Sequence, residues 1–309
     1  MFMKAKIEQI FTCIAIFLFV FSAQAQENKE KEIRLSVSVT DERGRYAGGL
    51  KIENFQLMVD GKAQTINTPI EQDVPATIVF LIDLSGSQKG IVTTLTSEIK
   101  SFIKNTNPNN EYVVIAFNKE VQLVLDKTDD LKTLEEALDR TATTTPRGDT
   151  AFYDSVYLGI EKANSGKHQK KVLIVCSDGQ NNGSQYYKHR DVIKSLKESD
   201  VLFYSVNHSK NADYSSMLGI QGQLYLQNFA EMSGGRAFFS MTTNELSEIF
   251  KLIALELKSH YQIAFRVAIV DKPENWKALK IKVAPVIDNN KKIKLIARTR
   301  QGFYLTPVK

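Results

Sequence analysis

Two stretches of the chain run without a polar interruption, Ile78-Val79-Phe80-Leu81-Ile82 and Val172-Leu173-Ile174-Val175-Cys176, and each reaches an aspartate within two residues, Asp83 and Asp178. A strand that is apolar at consecutive rather than alternate positions is covered on both faces. In a water-soluble chain this calls for a sheet with helices packed on each side, built mostly from parallel strands joined by crossover helices. The surrounding pattern agrees. Strand-like runs over 77–82, 112–117, 121–125, 172–176, 201–206 and 237–240 alternate with helical patterns over 90–104, 131–140, 151–163, 191–198, 224–232 and 244–258. Leu131, Leu134 and Leu138, for example, recur at the spacing of a one-faced helix.

The flanks read differently. Residues 34–40 alternate polar and apolar side chains with period two, as a half-buried strand does. Runs at 55–59 and 63–66 enclose Asp60-Gly61, a two-residue hairpin signal. After the α/β stretch, strands are expected over 261–270, 279–283 and 293–299, with a hairpin turn at Asp288-Asn289-Asn290. Neither flank is long enough to bury a core alone, so the two are expected to pack together as a small β-sandwich into which the α/β unit is inserted. The resulting division is a signal peptide over 1–25, an N-terminal β segment over 26–75, an α/β domain over 76–257 and a C-terminal β segment over 258–309.

The signal peptide is read from Lys4 and Lys6, an apolar stretch from Ile10 to Phe21, and Ala23-Gln24-Ala25 as a small-residue cleavage site. The apolar stretch falls short of the roughly 20 residues of a membrane span, so the chain is expected to be exported, to the periplasm or beyond. Cys13 lies inside that stretch; its removal leaves Cys176 as the single cysteine, in an apolar strand, and no intramolecular disulfide is possible. A net charge of +5 comes without any dense basic tract interleaved with aromatics, which argues against nucleic acid as the partner.

The candidate site begins at the end of the first apolar strand. Asp83-Leu84-Ser85-Gly86-Ser87 puts a carboxylate and two hydroxyls on one turn, where Gly86 is expected to permit a tight bend between the serines. Thr150 opens the helical pattern at 151–163, and Asp178 follows the second apolar strand. In a parallel sheet the carboxyl ends of the strands share one edge, so Asp83, Ser85, Ser87, Thr150 and Asp178 are able to converge. Hard oxygen donors without thiolate or imidazole suit Mg²⁺ or Mn²⁺ rather than Zn²⁺.

This set, in this order, resembles the metal-ion-dependent adhesion site of von Willebrand factor A (VWA) domains, with all five positions of the pattern present. The stretches "GLKIENFQLMVDGKAQTI", "GDTAFYDSV", "SGGRAFFS", "LELKSHYQIAF" and "RTRQGFYLTP" are similar to those of bacterial exported VWA-related proteins. The resemblance implies a Rossmann-like VWA domain in which Ser85, Ser87 and Thr150 offer hydroxyl oxygens to a divalent cation. Asp83 and Asp178 then act directly or through water. It also implies a protein partner that supplies an acidic side chain to the ion. Gln88 stands where the family commonly has Met, and Asp149 where Gly is common beside Thr150.

Taken singly, each residue has an ordinary role: Ser85, Ser87 and Thr150 as helix caps, Asp83 as a turn residue, Asp178-Gly179 as a strand-ending turn, and Asp154 as part of a helix surface or its local hydrogen bonding. Two other functional readings remain. A non-catalytic envelope scaffold would use the metal only to stabilise loops. A hydrolase would need a base, but none of His168, His189, His208 and His260 stands in a nucleophile arrangement, and Ser85 is not in a G-x-S-x-G elbow; no catalytic activity is expected. The polar stretch 207–222 is expected to be a loop that shapes specificity.

Overall fold

A computed structural model of the chain describes residues 30–68, 71–208, 216–268, 276–288 and 291–305. The signal-peptide segment at 1–25, with Cys13, and the tip of the expected hairpin at 289–290 lie outside the described residues, as do residues 209–215 of the expected 207–222 loop.

The centre is a six-stranded sheet in the order β6-β5-β4-β7-β8-β9. Its strands are β4 (Ala76–Asp83), β5 (Glu111–Phe117), β6 (Val121–Thr128), β7 (Lys170–Cys176), β8 (Val201–His208) and β9 (Ala237–Ser240). All neighbours are parallel except β5 and β6, which pair antiparallel through a short connection. Every residue of β4 is buried, as its unbroken apolar run requires. Ile78, Phe80 and Ile82 point to one face and Val79 and Leu81 to the other.

Six helices cover the two faces among the described residues: α1 (Val92–Lys104), α2 (Leu131–Ala142), α3 (Phe152–Asn164), α4 (His189–Glu198), α5 (Met217–Ser233) and α6 (Thr243–Ser259). Side chains of α1, α2 and α6 join the first core, and those of α3, α4 and α5 the second. Helix α5 corrects the expectation. It begins seven residues before the predicted 224, with Ser216 capping it by accepting the Gly219 amide. Gly219 and Gly222 read locally as helix breakers; both are buried in the helix, Gly222 for a packing reason given below.

The flanking strands pair across the whole length of the chain. Strand β1 (Glu30–Asp41) runs antiparallel to β10 (Tyr261–Ala268) over its first eight residues and to β14 (Leu295–Arg298) over its last four. A second sheet has the order β15-β11-β2-β3, with β2 (Phe55–Val59), β3 (Lys62–Gln64), β11 (Trp276–Val283) and β15 (Gly302–Tyr304). The Asp60-Gly61 turn has positive φ at both residues, 48° and 78°, matching the primed hairpin the dipeptide predicts. Leu35, Val37, Leu57, Phe265 and Phe303 form the third apolar core, between the two small sheets. A further hairpin pairs β12 (Val286–Asp288) with β13 (Lys291–Ile293).

Candidate metal centre

The order of the strands creates the site. Strand β4 lies between β5 and β7: the chain leaves β4 for β5 on one side and later crosses back to β7 on the other, the reversal of strand order at whose carboxyl edge ligands collect in such sheets. Ile82 is level with Cys176 across the β4–β7 pair, which brings the next residues, Asp83 and Ser177, side by side. The Ser177 hydroxyl donates to Asp83 Oδ2 at 2.6 Å, and the Ser85 amide donates to Oδ1 at 2.8 Å. Asp83 is completely buried. Burial, and then the negative charge of Asp178, push its carboxyl up to about 7, against the lowering effect of hydrogen bonds from Ser177 and Ser85. Ser177 is the partner that sequence reading missed, because only strand register puts it beside Asp83.

Three loops are stitched together around this carboxylate. The Arg147 amide donates to the Leu84 carbonyl at 2.8 Å and the Gly86 amide to the Gly148 carbonyl at 3.1 Å, joining the serine turn to the Thr150 loop. The Thr150 amide donates to Asn182 Oδ1 at 2.7 Å, and the Asn182 and Gly183 amides return bonds to the Thr150 carbonyl. The Thr150 loop is thereby joined to the loop that follows Asp178. The structure thus places Asp83, Ser85, Ser87, Thr150 and Asp178 on three mutually bonded loops at one edge of the sheet.

The ordinary alternatives for the hydroxyls are not used. Ser85 precedes a 3₁₀ turn without capping it, and the residue at the cap of α3 is Ala151, with no side-chain bond. The Ser85 and Ser87 hydroxyls lie 3.2 Å apart, and Ser87 also accepts from Gln88 Nε2 at 3.2 Å. Gln88, where the family commonly has Met, is buried and so takes up the packing role while touching the site. The Asp178 Oδ1 atom accepts the Gln180 amide at 3.0 Å, an ordinary turn bond that leaves its other oxygen available. Among the described residues no Lys, Arg or His side chain pairs with either Asp83 or Asp178.

Two adjacent buried carboxylates without a basic partner, with hydroxyls turned away from capping duty, form a donor set that a small divalent cation fits. No group of three or more His, Cys, Asp or Glu side chains able to hold an ion is found among the described residues; a cation held here would have to draw on the hydroxyls as well. Asp149 is exposed and accepts from Asn182 Nδ2 at 3.3 Å. Burial and the nearby Asp83 charge push the Cys176 thiol up, which makes it unreactive.

Two expectations are corrected. Gly86 is not in a left-handed conformation, and a Cβ there would make only ordinary contact, 3.7 Å from the Gly148 carbonyl oxygen. The glycine that the turn does require is Gly179, at φ 77°, where a Cβ would lie 2.6 Å from the Gly222 carbonyl oxygen. Close approach of α5 to the Asp178 loop therefore explains Gly222 within that helix. Asp154 is buried rather than on a helix surface. Its carboxylate accepts the amides of Gln185, Tyr186 and Tyr187, at 2.8, 3.2 and 2.8 Å, anchoring the loop beyond Asn182.

The sequence profile of the von Willebrand factor type A domain matches residues 77–252, more than half of the chain. The chain belongs to the von Willebrand factor type A domain family. Among solved structures, a von Willebrand factor type A protein from Catenulispora acidiphila is similar at 13% identity, with a TM-score of 0.52 over 92% of this chain and 67% of that one. The PilB minor pilin from Streptococcus sanguinis is similar at 15% identity and a TM-score of 0.48, over 62% of this chain; the match spans 63% of the pilin. The von Willebrand domain of the type V pili tip protein Mfa5 from Porphyromonas gingivalis is 13% identical, with a TM-score of 0.48 over 60% of this chain and 95% of that one. No curated protein matches the sequence. At these identities the likeness is one of fold.

Proposed function

We propose that this VWA-domain chain is an exported protein that binds another protein through a divalent cation, Mg²⁺ or Mn²⁺, held by Asp83, Ser85, Ser87, Thr150 and Asp178. The reading rests above all on the buried pair Asp83 and Asp178, which has no basic partner among the described residues. Two carboxylates balance the formal charge of such an ion, and its Lewis acidity supplies the attraction for an acidic side chain of the partner. Ser177 and the Ser85 amide hold Asp83 in place, while Asn182 and Asp154 hold the loops that carry Thr150 and follow Asp178.

Binding suits this arrangement better than a purely structural role for the ion, because the three loops already bond to one another through backbone and Asn182 contacts. Ser85 bonds with Ser87 and, through its amide, with Asp83; among the described residues no histidine bonds to it, and we read the site as non-catalytic. Export is inferred from the 1–25 signal sequence, which gives a mature form beginning at Gln26 in the periplasm or outside the cell. No helix among the described residues is long and apolar enough to cross a membrane.

Calorimetric titration of the mature form with Mg²⁺ and with Mn²⁺ tests the reading. One saturable site in the parent, lost in Asp83→Ala while the far-ultraviolet spectrum is retained, is the expected result. Equal binding by parent and variant would refute it.

A further inference from the structure

Helix α5 carries apolar residues on both of its faces. Leu226, Phe229 and Ala230 are buried in the sheet core, but Met217, Ile220 and Leu224 are 84%, 48% and 57% exposed. Spacings of three and four set these three in a single stripe over the first two turns. The helix also bears no charged residue from Met217 through Ala230; the exposed polar positions of that stretch are amides, such as Gln221. An uncharged apolar stripe in water is the composition of the centre of a protein–protein interface, where charge is depleted.

The location of the stripe gives it meaning. Gly222, on the buried side of the same turns, lies so close to the metal loop that a Cβ there would sit 2.6 Å from the Asp178 carbonyl oxygen. On the next turn, the Tyr225 ring packs 5.9 Å from Tyr153, at the start of the helix that follows Thr150. The stripe is therefore about one helix diameter, roughly 10 Å, from the loop bearing Asp178. An extended segment covers about 3.3 Å per residue, so three to four residues span that distance.

Resting on the metal-dependent reading above, we propose that the partner presents its acidic residue on a segment with bulky apolar side chains three to four positions away, seated on Met217, Ile220 and Leu224. The two carboxylates, without a basic partner among the described residues, call for the acid through the cation, and the charge-free stripe calls for the apolar neighbours.

The test uses the mature protein with ¹³C-methyl methionine and two synthetic peptides. One has a glutamate followed at the third and fourth positions by leucine and phenylalanine; the other has serines there. With saturating Mg²⁺ the apolar peptide binds at least about tenfold more tightly and shifts the Met217 methyl signal. The combined variant Met217→Ser, Ile220→Ser, Leu224→Ser removes that difference and keeps Mg²⁺ binding, its three positions being exposed. Equal Mg²⁺-dependent affinity for the two peptides overturns the inference and leaves the metal reading standing, as does failure of both to bind while Mg²⁺ itself saturates one site. Failure to bind Mg²⁺ removes both. A Met217 shift with anionic phospholipid vesicles, or on self-association, that needs no Mg²⁺ assigns the stripe to a membrane or to a second copy and also overturns the inference.

Discussion

Replacing Glu256 by Gln tests the junction between the α/β unit and the flanking strands. Glu256 is completely buried on α6. Its carboxylate accepts from Tyr204 at 2.6 Å and from Tyr46 at 2.7 Å, and it pairs with Arg298. Arg236 and His260 each approach to 3.5 Å. Those partners come from β8, the residue before β9, β14, the turn after β1 and the end of α6, so one side chain connects both parts of the fold. Burial alone would raise the Glu256 carboxyl. The His260 hydrogen bond, the Arg298 and His260 charges and the Tyr204 hydroxyl outweigh it and hold the group well below the ordinary carboxylate range.

Glu256→Gln keeps the volume, removes the charge opposite Arg298 and turns an amide NH₂ toward groups that donate. Removing one partner of a buried ion pair costs about 3–5 kcal/mol. Arg298 is 34% exposed and Arg236 42% exposed, so both recover some hydration and the lower end, about 3 kcal/mol, applies. At roughly 2–4 °C per kcal/mol for a chain of this size, Tm should fall by about 6–12 °C. Thermal and urea unfolding followed by circular dichroism measure it. A loss under about 1 kcal/mol would refute the reasoning, showing that the carboxylate exchanges its partners for water without cost.

The same network sets a pH response. Burial holds His260 down to about 4, below its ordinary 6.5, and Glu256 is also depressed. Groups with depressed folded values stabilise above their ordinary pKa and lose that contribution as pH falls. Stability should therefore decline as pH drops from about 6.5 toward 4, and His260→Gln should flatten that slope; an unchanged slope assigns the decline elsewhere. Asp154→Asn, which weakens acceptance of three backbone amides, should cost about 1.5–3 kcal/mol and open the 184–188 loop to limited proteolysis, whereas unaltered cleavage would show that the loop holds itself. Gly179→Ala, forced into a left-handed φ against the Gly222 carbonyl, should destabilise by more than about 1 kcal/mol and weaken Mg²⁺ binding. Gly86→Ala should stay within about 0.5 kcal/mol; equal effects at the two glycines would contradict the packing described.

The alternation of buried strands with one-faced helices is written in periodicities of a few residues. It was therefore readable without coordinates, as was the Asp60-Gly61 hairpin. The five candidate residues could be named as well, because each stands near the end of a recognisable strand or the start of a helix. What the sequence could not display is who meets whom across long separations. Ser177 reaches Asp83 from 94 positions away, Asn182 reaches Thr150 from 32, and Arg298 reaches Glu256 from 42. The early start of α5 belongs with these. Gly222 costs a helix in isolation, and only packing against Asp178-Gly179 makes its missing Cβ an advantage. Local patterns record what a segment prefers for itself; burial and pairing are supplied by segments distant in the chain, and only the folded arrangement brings them together.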